Sequence, residues 1–143
     1  MYVDSNQRKL NTAEIITNFL QNSPQPHPPS VMMPAILTEL SQPNTKTKQI
    51  GNTLFEVILG QGREAFFKAF NADIGANFVE SSKMFCVWAH RDLNLQFVVT
   101  EFSDPSLEKL FKIISMKPPL PNMAYQAFRL EDGDMRIVLK LGA

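Results

Sequence analysis

The chain has a single cysteine, no apolar run near membrane-spanning length and no excess of charge of either sign, and each absence removes a class of function. With Cys86 alone, no disulfide can form within the chain, so a secreted, disulfide-stapled scaffold is excluded. No stretch approaches the ~20 apolar residues of a membrane-spanning helix. The opening Met1-Tyr2-Val3-Asp4-Ser5-Asn6-Gln7 is too polar for a signal peptide. These features place the protein in the cytoplasm, away from a membrane. Lys plus Arg number 14 and Asp plus Glu number 14. A neutral chain casts no field to gather nucleic acid or anionic lipid, while its low self-repulsion favours self-association. Two histidines and one cysteine are too few for a structural zinc site, and no motif demands a bound cofactor.

What is present is the composition of one folded domain. At 143 residues, 44% apolar and 20% charged, the chain is long enough to bury a core and short for two. Its pattern divides near residue 47. Residues 1–47 read as a helical, Pro-rich segment and 48–143 as an α+β domain. In the first part, Asn11 and Glu14 have the spacing of a capping box, with Leu10 and Ile15 as a staple, ahead of a stripe of Ile15, Ile16, Phe19 and Leu20. Ser23-Pro24-Gln25-Pro26-His27-Pro28-Pro29 ends that helix in an extended connector. A second short helix is expected over Pro34 to Leu40, followed by a polar stretch, Gln42 to Lys48, that is loop or weak edge strand.

In the second part, Thr53 to Leu59 alternates as a strand, and Gly60-Gln61-Gly62 turns into an expected helix carrying Phe66, Phe67, Phe70 and Ile74. Met84 to His90 and Leu95 to Phe102 read as a hairpin. Asp104-Pro105 then signals a helix start, with Leu107, Leu110, Phe111 and Ile114 as its apolar stripe. Asp132-Gly133 is a two-residue turn signal that pairs Leu130 with Met135, Phe128 with Ile137 and Arg129 with Arg136. The expected fold is α+β: a mainly antiparallel sheet of about five strands, two helices packed on one face, and the short helical N-terminal segment.

Functional signals are few. Gly60, Gly62 and Arg63 have the spacing of a phosphate-cradling turn between strand and helix, where glycines admit a phosphate to backbone N–H groups and a helix N-terminus adds positive charge. A dinucleotide site would need a parallel crossover strand with an acidic end, and an acyl-CoA-binding loop of the acetyltransferase kind would want Arg or Gln where Val57 stands. Arg129 and Arg136, with Lys140 and Tyr125, make a basic sheet face suited to a phosphate or an acidic partner, although it lacks the aromatics of a nucleic-acid stacking platform. Cys86 and His90 on one strand lie about 13 Å apart at ~3.3 Å per residue, too far for a nucleophile and its base, and Cys86 reads as a small buried apolar residue. Around His90-Arg91-Asp92 and Glu101 the polar residues are those of an ordinary turn. The two N-terminal helices are marginal alone and need a surface; Phe19, Leu20, Ile36 and Leu37 would meet the chain's own sheet, a second copy or another protein. The leading expectation is therefore a non-enzymatic interaction module. Behind it stand a small enzyme or ligand-binding domain holding a phosphate-bearing ligand at Gly60–Arg63, and nucleic-acid binding through Arg129, Arg136 and Lys140.

Overall fold

A computed structural model describes residues 9–142 other than Pro24, Ile74, Pro105 and Ser106. The polar opening, Pro24 of the connector, Ile74 and the proposed first-turn Pro105 lie outside the described residues. The elements run α1 (Thr12–Asn22), α2 (Pro29–Leu40), β1 (Thr45–Ile50), β2 (Thr53–Leu59), β3 (Glu64–Asn71), α3 (Gly75–Arg91), β4 (Phe97–Phe102), α4 (Glu108–Met116), β5 (Ala124–Arg129) and β6 (Met135–Lys140). The strands form one sheet in the order β1-β2-β3-β4-β6-β5, antiparallel at every join except β3–β4. The α+β class holds, with six strands instead of about five. The parallel join follows from α3, which crosses between β3 and β4 and so returns the chain in the same direction.

Helices cover both faces instead of one. On the first, Phe85, Cys86 and Ala89 of α3 and Phe111 of α4 meet Phe55, Val57, Phe67, Val98, Ile137 and Leu139 of the sheet. On the second, Ile15, Ile16 and Leu20 of α1 meet Leu54 and Phe70, with Phe19, Met32 and Ile36 packed around them. The capping box at α1 is formed: Asn11 Oδ1 accepts from Glu14 N at 2.8 Å and Glu14 Oε1 from Asn11 N at 3.0 Å. Leu10 is tied to the β1–β2 turn, its N–H donating to Asn52 Oδ1 (2.8 Å) and its carbonyl accepting from Gln49 Nε2 (2.7 Å). The N-terminal helices thus dock on their own sheet, and β1 begins inside the segment read as N-terminal.

Three assignments are corrected. Residues 64–71 form strand β3, not a helix. Apolar residues fall on both its faces: Ala65 and Phe67 are buried towards α3, while on the other face Phe70 is buried under α1 and Phe66 stays half exposed. Phe66, Phe67 and Phe70 then imitate helical spacing. Residues 84–90 belong to helix α3, not to a hairpin strand. Its buried stripe is Ser81, Ser82, Phe85, Cys86 and Ala89, and two serines on that stripe mute the apolar period while Phe85-Val87-Ala89 mimics alternation. Finally, α2 starts at Pro29 and holds Pro34 inside it.

The β5–β6 register is shifted by one residue from that expected. Phe128 opposes Arg136, Arg129 opposes Met135 and Tyr125 opposes Leu139. Leu130 N donates to the Asp134 carbonyl (2.7 Å) and Gly133 N to the Leu130 carbonyl (3.0 Å), with Gly133 at φ 92°. Glycine therefore supplies the left-handed residue that closes a three-residue loop, where the two-residue turn would have placed it in the centre. The slip moves every β5 side chain to the opposite face.

Candidate functional site

The sheet opens in its middle. Strands β3 and β4 pair only at their beginnings, Glu64–Phe66 against Phe97–Val99. Beyond that, β3 stays paired with β2 as far as Asn71 and β4 with β6 as far as Phe102, so each is held from outside while the two part from one another. The closed end is pinned by Arg63, whose carbonyl accepts from Gln96 N (2.8 Å) and Phe97 N (3.1 Å) and whose Nε donates to the Asn94 carbonyl (3.0 Å). The parted strands turn unpaired backbone edges towards a cleft of about 650 Å³, within the ~300–1,000 Å³ range of small-molecule sites. Free strand edges are hydrogen-bonding templates for an extended, amide-bearing ligand.

Both α3 and α4 begin at the open end, because each follows a strand that runs from the closed end outward. Their N-termini differ. The first turn of α3 has no acidic residue, whereas α4 carries Glu108 in its first turn. An anion at this mouth is therefore favoured on α3. Gly75 opens that helix at φ 48°, and a Cβ there would meet nothing within 4 Å, so its backbone is approachable from outside. The β3–α3 connection is held by a compact network. Asn71 Oδ1 accepts from Thr53 Oγ1 (2.7 Å) and Asp73 N (2.9 Å), Asn71 Nδ2 donates to the Asp73 carbonyl (2.9 Å), and Asp73 Oδ2 accepts from Asn52 N (2.8 Å).

The cleft wall on the α3–α4 side is apolar and aromatic, built from Phe67, Phe78, Phe85 and Phe111. Phe85 stacks on Phe55 with ring centroids 4.6 Å apart. Set into this wall is Ser82, whose buried Oγ has no hydrogen-bond partner among the described residues. A buried hydroxyl without a partner costs free energy that a polar ligand group can recover. Cys86 also lines the cleft, but burial pushes its thiol up to about 12, so it stays protonated and unreactive at neutral pH.

On the α1–α2 side the cleft is lined by Phe19, Met32, Ile36, Lys68 and Phe70. Lys68 Nζ binds Glu39 Oε1 at 2.7 Å. Behind this pair lies Glu56 of β2, fully buried opposite Lys68, its carboxyl oxygens without a hydrogen-bond donor in the described residues. Burial, followed by the Glu39 carboxylate beside it, pushes Glu56 up to about 7, with Lys68 opposing the shift. For Glu39, burial raises the pKa, but the hydrogen bonds with Lys68 and Glu56 and the Lys68 charge together outweigh it, and the group ends below the ordinary carboxylate range.

Few of the residues singled out from sequence converge on this cleft. Gly60, Gly62 and Arg63 form the β2–β3 hairpin turn at the closed end, followed by a strand and not by a helix N-terminus. Arg63 is spent on pinning the strands. Arg129 and Arg136 do not face each other: they lie on opposite sheet faces, and Arg136 pairs with Glu101 (Nε to Oε2, 2.7 Å). Lys140 shares the face of Arg136, so the basic trio does not assemble. Phe19 and Ile36 do line the cleft, Leu20 is buried under α1, and Leu37 is exposed. Ser82, Gly75, Asn71, Asp73 and Glu56 were missed. The strand-to-helix connection at Gly75 carried a signal, a lone glycine after Asn-Ala-Asp, but only with the correct identity of the flanking elements. The described residues contain no group of metal-ligating side chains and no helix long and apolar enough to cross a membrane.

No protein-family model matches the chain, and no curated protein matches it by sequence. Solved structures match it by fold. The spermidine N-acetyltransferase of Vibrio cholerae in complex with CoA and spermine superposes with a TM-score of 0.60 at 13% identity, over 92% of this chain and 92% of that one. The Campylobacter jejuni N-acetyltransferase PseH in complex with acetyl coenzyme A gives 0.59 at 12%, over 93% and 94%. An acetyltransferase of Agrobacterium tumefaciens gives 0.52 at 16%, over 92% and 87%. The likeness establishes the fold. It also overturns the expectation of a non-enzymatic interaction module, because these structures, matched over nearly their whole lengths, are all acetyltransferases.

Proposed function

We propose that the chain is a CoA-dependent N-acyltransferase that holds the thioester in the cleft between β3 and β4. The parting of those strands carries the reading: it leaves two unpaired backbone edges, an aromatic wall and a Ser82 hydroxyl unsatisfied among the described residues around one cavity, with the N-terminus of α3, whose first turn holds no acidic residue, at its mouth. The shared fold supports it.

The residues fit such a molecule. The backbone near Gly75 suits a pyrophosphate, the free edge of β4 at Thr100–Phe102 suits the amides of the pantetheine arm, and Phe78 and Phe85 suit its methylene stretches. A bound CoA thioester supplies an activated carbonyl, from which an amine displaces the thiol as the C–N bond forms and the C–S bond breaks. The chain's part is to hold the two reactants together and keep water out. Burial keeps the Cys86 thiol protonated and so ill suited as a nucleophile, which favours direct transfer from thioester to amine.

This places the phosphate-bearing ligand at the opposite end of β3 from Gly60–Arg63. Titration of the protein with acetyl-CoA tests the reading, with Gly75→Val as the variant. Saturable binding weakened at least about tenfold by the valine, which strains the left-handed backbone at φ 48° and puts a branched side chain where a phosphate would approach, is the expected result. Absence of acetyl-CoA binding in a folded, unsubstituted protein would end the proposal.

A further inference from the structure

Helix α2 is weakly held. None of its residues is buried, its N-terminus has no side-chain cap, and Pro34 within it removes a backbone hydrogen bond. It nevertheless supplies Met32 and Ile36 to the wall of the cleft on the α1–α2 side. Its charged tie to the sheet is Glu39, whose Oε1 and Oε2 accept from Lys68 Nζ at 2.7 and 3.1 Å. Against the same carboxylate lies Glu56, which donates to it when protonated.

Glu56 and Lys68 are opposed residues of β2 and β3, so their side chains share a sheet face. Of the other elements packed here, β1 sets the neutral Thr47 opposite Glu56. Helices α1 and α2 carry one charged residue each, Glu14 in the α1 cap and Glu39 itself. The cluster thus sets two carboxyl groups against one ammonium. With Glu56 protonated, Glu39 is bound from both sides and α2 stays down. With Glu56 ionised, the proton that joined the two carboxyls is gone, and both compete for Lys68. Lys68 is fixed in the sheet beside Glu56, so the partner that leaves is the one on the loosely held helix. Lifting α2 also admits water to a carboxylate that is otherwise wholly buried. Burial and the Glu39 charge push Glu56 up to about 7, which sets the exchange near neutrality.

We infer that α2 is a lid on the α1–α2 side of the cleft, latched through Glu39 and released when Glu56 ionises and captures Lys68. Movement of α2 reshapes that wall whatever the ligand, so the lid does not depend on the transferase reading. Methionine-methyl NMR of the full chain tests it, because Met32 packs in the cluster that holds the rings of Phe19 and Phe70. Between pH 5 and pH 8 the Met32 signal should lose its ring-current shift and move to the position of an exposed methionine. The signal of buried Met135 in β6 should stay in place. In Glu56→Gln the Met32 signal should hold its docked position at both pH values. Glu39→Ala, at a partly exposed site, should show the exposed position already at pH 5. A Met32 signal that ignores pH in the unsubstituted protein, moves together with Met135, moves equally in Glu56→Gln, or stays docked in Glu39→Ala would overturn the lid.

Discussion

The two faces of the sheet are built differently. Under α3 and α4 lies a continuous apolar core with stacked rings, Phe55 on Phe85 at 4.6 Å and Phe67 on Phe85 at 5.0 Å. Under α1 and α2 the core is smaller and runs into the ionisable group of Glu39, Glu56 and Lys68. The first face supplies most of the burial that holds the fold and forms one wall of the cleft. The second carries a buried carboxyl whose charge state changes near neutrality. Stability that does not depend on pH should reside on one side of the sheet, and pH-dependent stability on the other.

The two faces should differ most at Phe85. Phe85→Ala removes a fully buried ring from the larger core and should cost about 3–5 kcal/mol, seen as a drop in the urea midpoint that is the same at pH 5 and pH 8. Glu56 should behave in the opposite way. Its folded pKa is raised from 4.5 to about 7, so between those values the folded state keeps a proton that the unfolded chain has lost. Stability therefore falls as pH rises through this window and levels off above about 7, a loss of roughly 3 kcal/mol. Glu39, shifted down, acts only below about 4.5 and does not overlap. Glu56→Gln should flatten the profile between pH 5 and 7.5; a slope unchanged by the substitution would mean that another group titrates. The smallest effect is expected at Asn11→Ala, which removes the cap of α1 and should cost about 1 kcal/mol, with acetyl-CoA affinity unchanged because the cap lies away from the cleft.

The sequence made some of this legible and concealed the rest for physical reasons. The capping box of α1 was readable because it is local: two side chains, three residues apart, satisfy each other's backbone. The stripe of α4 was readable because that helix is amphipathic, with one face on the sheet and one in water. Strand β3 and helix α3 exchanged identities because their patterns carry tertiary information. A strand with phenylalanines on both faces loses its apolar alternation, and a helix that buries Ser81 and Ser82 loses its apolar stripe. That exchange hid the site, since the cleft exists only where β3 and β4 run parallel, and a parallel pair cannot be inferred when the crossover helix is read as a strand. A phosphate-cradling turn was sought at Gly60, where the glycines serve the β2–β3 hairpin. Measured from Gly75, the position where such a loop would want Arg or Gln is Ala72, so no such motif marks the start of α3 either. Glu56 was unreadable for a different reason: an acidic residue inside an apolar strand announces burial only once both its neighbours in the sheet are known.

The most direct measurement is amide hydrogen exchange of the full chain with and without CoA. CoA binding between the parted strands predicts added protection at Thr100–Phe102 and at the start of α3 from Gly75, with none at Gly60–Arg63. Protection confined to Gly60–Arg63, or no change anywhere at saturating CoA, would contradict it.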